Sequence, residues 1–203
     1  MGLIRFVAIV EGEGEVAAIN NLIARVIGEY SPELQVAFAN PIQKSKTQLI
    51  PKKGLLNETE WEDAITLASQ RVGDRGAILI LLDADYECPK EMGPKISELV
   101  TRIRPERQIG IVLANTEYES WFVAAIESLS GKHGLKEYLK FQDASKNAGK
   151  SWIKNQMLKD EKYQETRNQL KMTREFDMQL ARSRSDSFDK FYREVTRLID
   201  TLI

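Results

Sequence analysis

Acidic side chains bunch at three places along this chain. Glu11, Glu13 and Glu15 lie in FVAIVEGEGEVAAINNLIARV, Asp83, Asp85 and Glu87 in LLDADYECP, and Glu117 and Glu119 in ANTEYESW. Each bunch follows an apolar run of the kind that forms a buried strand. Residues i and i+2 of an extended segment point to one side, so Asp83 and Asp85 form a natural pair. Two carboxylates a few ångströms apart repel unless a cation or a proton is shared between them. Mg²⁺ resolves that repulsion with one or two carboxylates, water and a substrate phosphate. Glu11 would ligate such an ion or act as a general base.

Each group also has a purely structural use. A strand-exit Asp often caps a helix. Glu13 and Glu15 suit the first turn of a helix, where negative charge meets the positive end of the dipole, and for Glu13 that use is preferred. Thr116 with Glu119 reads as a Thr-x-x-Glu capping box. Agreement among three strand exits carries more than any one motif.

Other chemistries are short of parts. His133 is the only histidine and Cys88 the only cysteine, too few for a zinc site built from His and Cys. A Ser-His-Asp arrangement would have to recruit His133 from the polar loop SGKHGLKE. GEGEVA fits the dinucleotide fingerprint G-x-G-x-x-A, but a bare pyrophosphate there would meet Glu11, Glu13 and Glu15. A Walker A lysine loop is absent.

The elements that must position these acids alternate along the first 130 residues. LIRFVAIV reads as a strand, followed by Ile19, Leu22, Ile23, Val26, Ile27 and Tyr30 at helical spacing. Leu34 to Ala39 is a second strand, and NPIQKSKTQLIPKKGLLN a lysine-bearing loop. Asn57 with Glu60 predicts a capping box opening a helix through Trp61, Ile65 and Ala68. Ala77 to Leu82 is a third strand, Ile96, Leu99, Val100 and Ile103 mark a helix, and Ile109 to Ala114 is a fourth strand. Thr116 to Leu129 is expected to be helical. Strands apolar throughout and separated by helices predict an α/β fold with a four-stranded, mainly parallel sheet flanked by helices. The division expected is an α/β domain over 1–130 and a helical C-terminal extension over 131–203. The extension ends in an amphipathic helix with Phe188, Phe191, Tyr192, Val195, Leu198, Ile199 and Leu202 on one face.

At 203 residues with 42% apolar content, the chain can bury a real core. Its net charge of −1 leaves no global footprint for nucleic acid, but residues 1–138 hold 15 Lys/Arg against 20 Asp/Glu and residues 139–203 hold 14 against 10. An acidic site beside a basic surface is the expectation. No leader is expected at MGLIRFVAIVEGEGE, and no apolar run approaches the roughly 20 residues of a membrane span. One cysteine allows no intrachain disulfide, so a cytoplasmic protein is expected.

The strand-exit acids resemble those of the Toprim domain, shared by topoisomerases, primases and OLD-type nucleases. That family shows a glutamate ending the first strand, often in VEG, and an Asp-x-Asp ending the third. Here they match Val10-Glu11-Gly12 and Asp83-Ala84-Asp85. The OLD-like pattern VEG-x-[TS]-E aligns Glu15 with its second acid, with Gly14 in place of Thr or Ser. A narrower resemblance is to an uncharacterised bacterial Toprim-like family often encoded beside AAA-type ATPases in phage-defence neighbourhoods. It shows a Glu-x-Trp after the fourth strand, like Glu119-Ser120-Trp121, and a Ser-Phe near the C-terminus, like Ser187-Phe188.

The resemblance implies a Toprim-like Rossmannoid sheet and metal-dependent phosphodiester chemistry. Asp83 and Asp85 would hold Mg²⁺ or Mn²⁺, with Glu11 as base or ligand, and Glu15 and Glu119 would complete a second metal position. Among Toprim chemistries, hydrolysis needs the fewest further parts, so a nuclease acting on DNA or RNA is expected. The alternative is a non-catalytic Toprim-like interaction module working with a partner ATPase. A dinucleotide or nucleotide-sugar enzyme stands third. Lys44, Lys46, Lys52 and Lys53, and Lys146, Lys150 and Lys154 at spacing of four, are candidate phosphate contacts or a solvated surface. Trp61 and Trp121 are expected in the core.

Overall fold

The alternating apolar and helical segments assemble into one parallel sheet covered on both faces. The structure, a computed structural model, describes residues 3–142 and 149–203. Strand β1 (Ile4–Val10) runs into helix α1 (Glu13–Tyr30), followed by the short strands β2 (Val36–Phe38) and β3 (Ile42–Gln43). A one-turn helix α2 (Lys46–Leu49) and the longer α3 (Glu58–Val72) lead to β4 (Gly76–Asp83), and α4 (Pro89–Ile103) leads to β5 (Gln108–Ala114). Helices α5 (Glu119–Ala124), α6 (Ile126–Leu129), α7 (Gly149–Gln156), α8 (Glu165–Glu175), α9 (Met178–Arg184) and α10 (Asp186–Asp200) complete the chain.

The sheet order is β2-β1-β4-β5, every pair parallel, with β3 beside the end of β1. The α/β class and the parallel sheet are as the sequence predicts. Strand β3 is the addition: two residues are too few for any hydrophobic period to reveal.

Side chains alternate across a strand, and here the alternation feeds two cores. Strand β1 sends Phe6, Ala8 and Val10 to one face, and β4 sends Ala77, Leu79 and Leu81 with them. Val7, Ile9, Ile78, Ile80 and Leu82 point the other way, onto Trp61 and Ile65 of α3 and Ile96 and Val100 of α4. Burying each such Val, Leu, Ile or Phe stabilises the fold by about 1.5–3 kcal/mol. Near-continuous apolar strands are what double coverage requires. Both tryptophans expected in the core, Trp61 and Trp121, are fully buried.

The helices beyond residue 131 pack on the first of these faces. Helix α8 lies along α1, and α10 lies on β5 and β4. Arg25 of α1 donates to the carbonyls of Thr173 (2.5 Å) and Phe176 (2.8 Å), satisfying groups that the C-terminus of α8 leaves open. Aromatic rings knit the layer together: Trp121 lies 5.2 Å from Phe188 and 5.3 Å from Phe191, centroid to centroid. The amphipathic face predicted for the last helix is buried from Phe188 to Ile199.

Two local expectations differ. Thr116 opens no helix: α5 begins at Glu119, and the chain leaves helical geometry at Ala125 before α6. Residues 115–118 are instead committed to the end of β4, with Asp85 N donating to Thr116 O at 2.8 Å. Asn57 does cap α3, its Oδ1 accepting from Glu60 N at 3.5 Å, but the Glu60 carboxylate turns to Lys44 at 2.7 Å rather than closing the box.

Ser187 is the polar rivet between these layers. Its buried Oγ accepts from the Asn115 backbone amide at 3.1 Å and from Trp121 Nε1 at 3.0 Å. Ser187→Ala leaves both donors without an acceptor, so it is expected to cost about 1–3 kcal/mol of stability. Urea unfolding of the full chain measures this directly.

Candidate functional site

In an open α/β sheet, ligands gather at the strand carboxyl ends where the strand order reverses. Here the chain goes from β1 outward to β2 and then returns to β4 on the other side of β1, so the reversal lies between β1 and β4. Glu11 follows the last residue of β1, and Asp83 is the last residue of β4. The acids of interest therefore sit at the crevice that topology selects.

Glu15 reaches this place because α1 starts at once. It is buried, its Oε2 accepting from Gly12 N at 2.8 Å and its Oε1 from Gln169 Nε2 at 2.9 Å. Glu13 stays exposed in the first turn, as a dipole partner should. Asp83 is half-buried, and its Oδ1 accepts from Tyr118 N at 2.8 Å. Burial, followed by the charges of Glu15, Glu119 and Glu11, pushes the Asp83 carboxyl well above its usual range, against the pull of the Tyr118 amide.

Glu119 is not the cap that its spacing from Thr116 suggested. Its side chain is fully buried, and its Oε1 accepts from Tyr163 Oη at 2.8 Å and Gln169 Nε2 at 3.0 Å. Burial raises the Glu119 carboxyl, with Lys150 and Tyr163 opposing. Burial and Glu119 in turn hold the Tyr163 phenol protonated far above its usual range, so it remains a donor.

Asp85 stands apart. Its backbone is left-handed, with φ 49°, so the pairing with Asp83 expected of an extended strand does not form. The Asp85 carboxylate is on the rim, 2.8 Å from Lys46 Nζ, which also donates to Ala84 O at 2.8 Å. Burial and Asp85 raise the Glu11 carboxyl, while Lys46 lowers it. Hydrogen bonds thus join Glu15 to Glu119 through Gln169 and Asp85 to Lys46, while Asp83 is held by Tyr118 N. Glu87 turns aside, its Oε1 accepting from Gly54 N at 3.3 Å.

The donor set is one that a hard cation prefers: carboxylate oxygens throughout. Glu11 Oε2 and Glu119 Oε2 are buried without a hydrogen-bond partner among the described residues. The Lys46 ammonium supplies positive charge between Asp85 and Glu11, the charge an ion would bring. Among the described residues no three carboxylates converge closely enough to form a protein cage for an ion. Mg²⁺ is commonly held without such a cage, by one or two carboxylates with water and phosphate, so the residues fit that mode.

Sequence reasoning missed Gln169 and Tyr163, which bind Glu119 from residues 50 and 44 positions away. For Gln169 the trace in the sequence is a polar residue on the inward face of an amphipathic helix, whereas Tyr163 lies in the segment before α8. Of the candidate lysines, Lys44 pairs with Glu60 and Lys150 with Glu165 at 3.2 Å, while Lys52, Lys53 and Lys154 are exposed. Lys146 lies outside the described residues.

The raised carboxyl of Asp83 has a thermodynamic consequence. The unfolded chain ionises this group near pH 4, whereas the folded chain holds the proton longer. The folded state then binds more protons, so stability falls as pH rises from about 4 through the higher folded-state range. Asp83→Asn keeps the acceptor for Tyr118 N and is expected to flatten this fall and to unfold at higher temperature than the wild type at pH 8. Thermal melts of both proteins from pH 4 to 8 check it.

Residues 10–196 match a family described as a domain of unknown function, DUF4276, and the chain belongs to that family. No curated protein matches, and no solved structure matches.

Proposed function

We propose that this DUF4276 protein is a Toprim-like, Mg²⁺- or Mn²⁺-dependent nuclease that hydrolyses phosphodiester bonds of DNA or RNA. One observation carries the reading. Glu11, Glu15, Asp83 and Glu119, from separate elements, lie at the carboxyl edge of the sheet without forming a closed cage, and burial raises the carboxyls of Glu11, Asp83 and Glu119, a cost that a shared cation would relieve.

Asp83, with Asp85 from the rim, would hold the ion, and Glu15 with Glu119 a second one. A bound ion supplies Lewis acidity toward a phosphoryl oxygen and makes water a better nucleophile at neutral pH. Glu11 suits the base: its Oε2 has no hydrogen-bond partner among the described residues, and its raised affinity for a proton brings it nearer to working pH. Lys46 would let go of Asp85 when an ion arrives, its charge becoming free for a phosphate.

Beside Asp85 a groove of about 390 Å³ is lined by Lys46, Ile50, Lys53 and Tyr86. It offers a nucleic-acid strand an exposed cation and an exposed aromatic ring. No helix among the described residues is long and apolar enough to cross a membrane. A cytoplasmic setting, with its reduced Cys88 and an AAA-type ATPase partner in phage defence, belongs to the same proposal.

A second reading, the non-catalytic interaction module, is favoured by one feature: Lys46 already neutralises Asp85, and Tyr163 and Gln169 already bind Glu119. Cleavage assays on single- and double-stranded DNA and RNA, with Mg²⁺, Mn²⁺ or EDTA, separate the two. The nuclease is expected to need the metal, and Glu11→Ala to lower its rate by about 10²–10⁴-fold. Asp83→Ala is expected to abolish cleavage. No Mg²⁺ or Mn²⁺ binding by calorimetry, alone and with a nuclease-resistant oligonucleotide, would replace the nuclease with the interaction module.

A further inference from the structure

Gln169 is a polar side chain with no access to solvent, in the middle of α8. Its amide nitrogen donates to Glu15 Oε1 at 2.9 Å and to Glu119 Oε1 at 3.0 Å. An amide has two N–H bonds, and both are spent on carboxylates that belong to different elements. The two acids are 104 residues apart in the chain (119 − 15), and one side chain from a third helix joins them.

The fit is made from both sides. A Cβ at Gly14 would stand 1.8 Å from Gln169 Oε1 and 2.6 Å from its Cδ. The bare backbone at Gly14 is therefore the notch through which the amide reaches the acids. Any larger residue there would drive the amide away.

The chemistry of the group matters as much as its place. A lysine or arginine here would fuse with the carboxylates as a permanent ion pair and cancel their charge. A neutral amide orients them and leaves their charge available. Carboxylates that ligate a metal are usually held by hydrogen bonds of this type, and losing one typically costs 10–100-fold in affinity or activity. Tyr163 Oη adds a third donor, on Glu119 Oε1, from the segment just before α8. Glu119 Oε2 is left buried and without a hydrogen-bond partner among the described residues.

We propose that Gln169 is a positioning residue of the acidic site: admitted by the notch at Gly14, its amide fixes Glu15 and Glu119 against each other for cation binding. The C-terminal helices are then part of the site. This rests on the metal-dependent reading above.

The test uses the full chain and Mn²⁺ titration calorimetry, with circular dichroism as the control for folding. Gln169→Met keeps length and bulk and removes the donors. Gly14→Ala keeps the donors and displaces them by pushing on the flexible end of the side chain, so it decides the matter if Gln169→Met fails to fold. Both are expected to weaken Mn²⁺ binding by about tenfold or more with the fold retained. In a Glu119→Gln background, Gln169→Met is expected to add less than about twofold, because residues acting through one another are not additive. In cleavage assays kcat falls while KM for the oligonucleotide holds, which loosened packing alone would not produce. Wild-type Mn²⁺ affinity in both folded variants, or full additivity with Glu119→Gln, overturns the inference and leaves the nuclease reading standing. No Mn²⁺ binding by the wild type, with or without a nuclease-resistant oligonucleotide, overturns both.

Discussion

Negative charge gathered out of water at one edge of a parallel sheet is the constraint around which this protein is arranged. Glu15 and Glu119 are buried, and burial and neighbouring carboxylates raise the proton affinity of Asp83 and of Glu11. A buried ionised group is expensive unless donors or opposite charge surround it. The chain supplies both kinds. Gly12 N, Tyr118 N, Tyr163 Oη and the Gln169 amide give neutral hydrogen bonds, and Lys46 stands over the Glu11–Asp85 side. On the opposite side, burial alone would lower the Lys150 ammonium, but Glu119 and Glu165 raise it.

The two faces of the sheet share this work unequally. The face covered by α3 and α4 is an ordinary apolar layer, built from Val7, Ile9, Ile78 and Ile80 against Trp61 and Ile96. The other face carries α1, α8 and α10, and its packing sets where the donors stand. Arg25 ties α8 to α1, and Gly14 lets α8 place an amide against α1's first turn. Tight packing there and donor placement at the site are one requirement met by the same residues.

Rim and interior differ in what they are free to do. Asp85, on a left-handed turn and more than a third exposed, is held by one lysine that rotates about a flexible stem. Glu119 has no such freedom, since one donor from α8 and one from the segment before it fix it. A site with a fixed interior and a movable rim is suited to a ligand that arrives with its own cation. It equally suits a partner that displaces Lys46.

The strand exits were legible in the sequence because burial on both faces demands unbroken apolar runs, and LIRFVAIV, AILILL and IGIVLA are such runs. Parallel pairing and the placing of Glu11 and Asp83 at the crevice followed from their order along the chain. Local chemistry misled where tertiary contacts outweighed it. Thr116-x-x-Glu119 has the letters of a capping box, yet the backbone of 115–118 is engaged by Asp83 and Asp85, and Glu119 points inward. The DAD motif suggested a paired site, but the turn after β4 sends Asp85 to Lys46. Gln169 and Tyr163 could not be read at all. A sequence period reports which face of a helix is inward, and it is silent on which distant carboxylate that face will meet. That meeting depends on how α8 lies along α1, which is settled only when the whole layer packs.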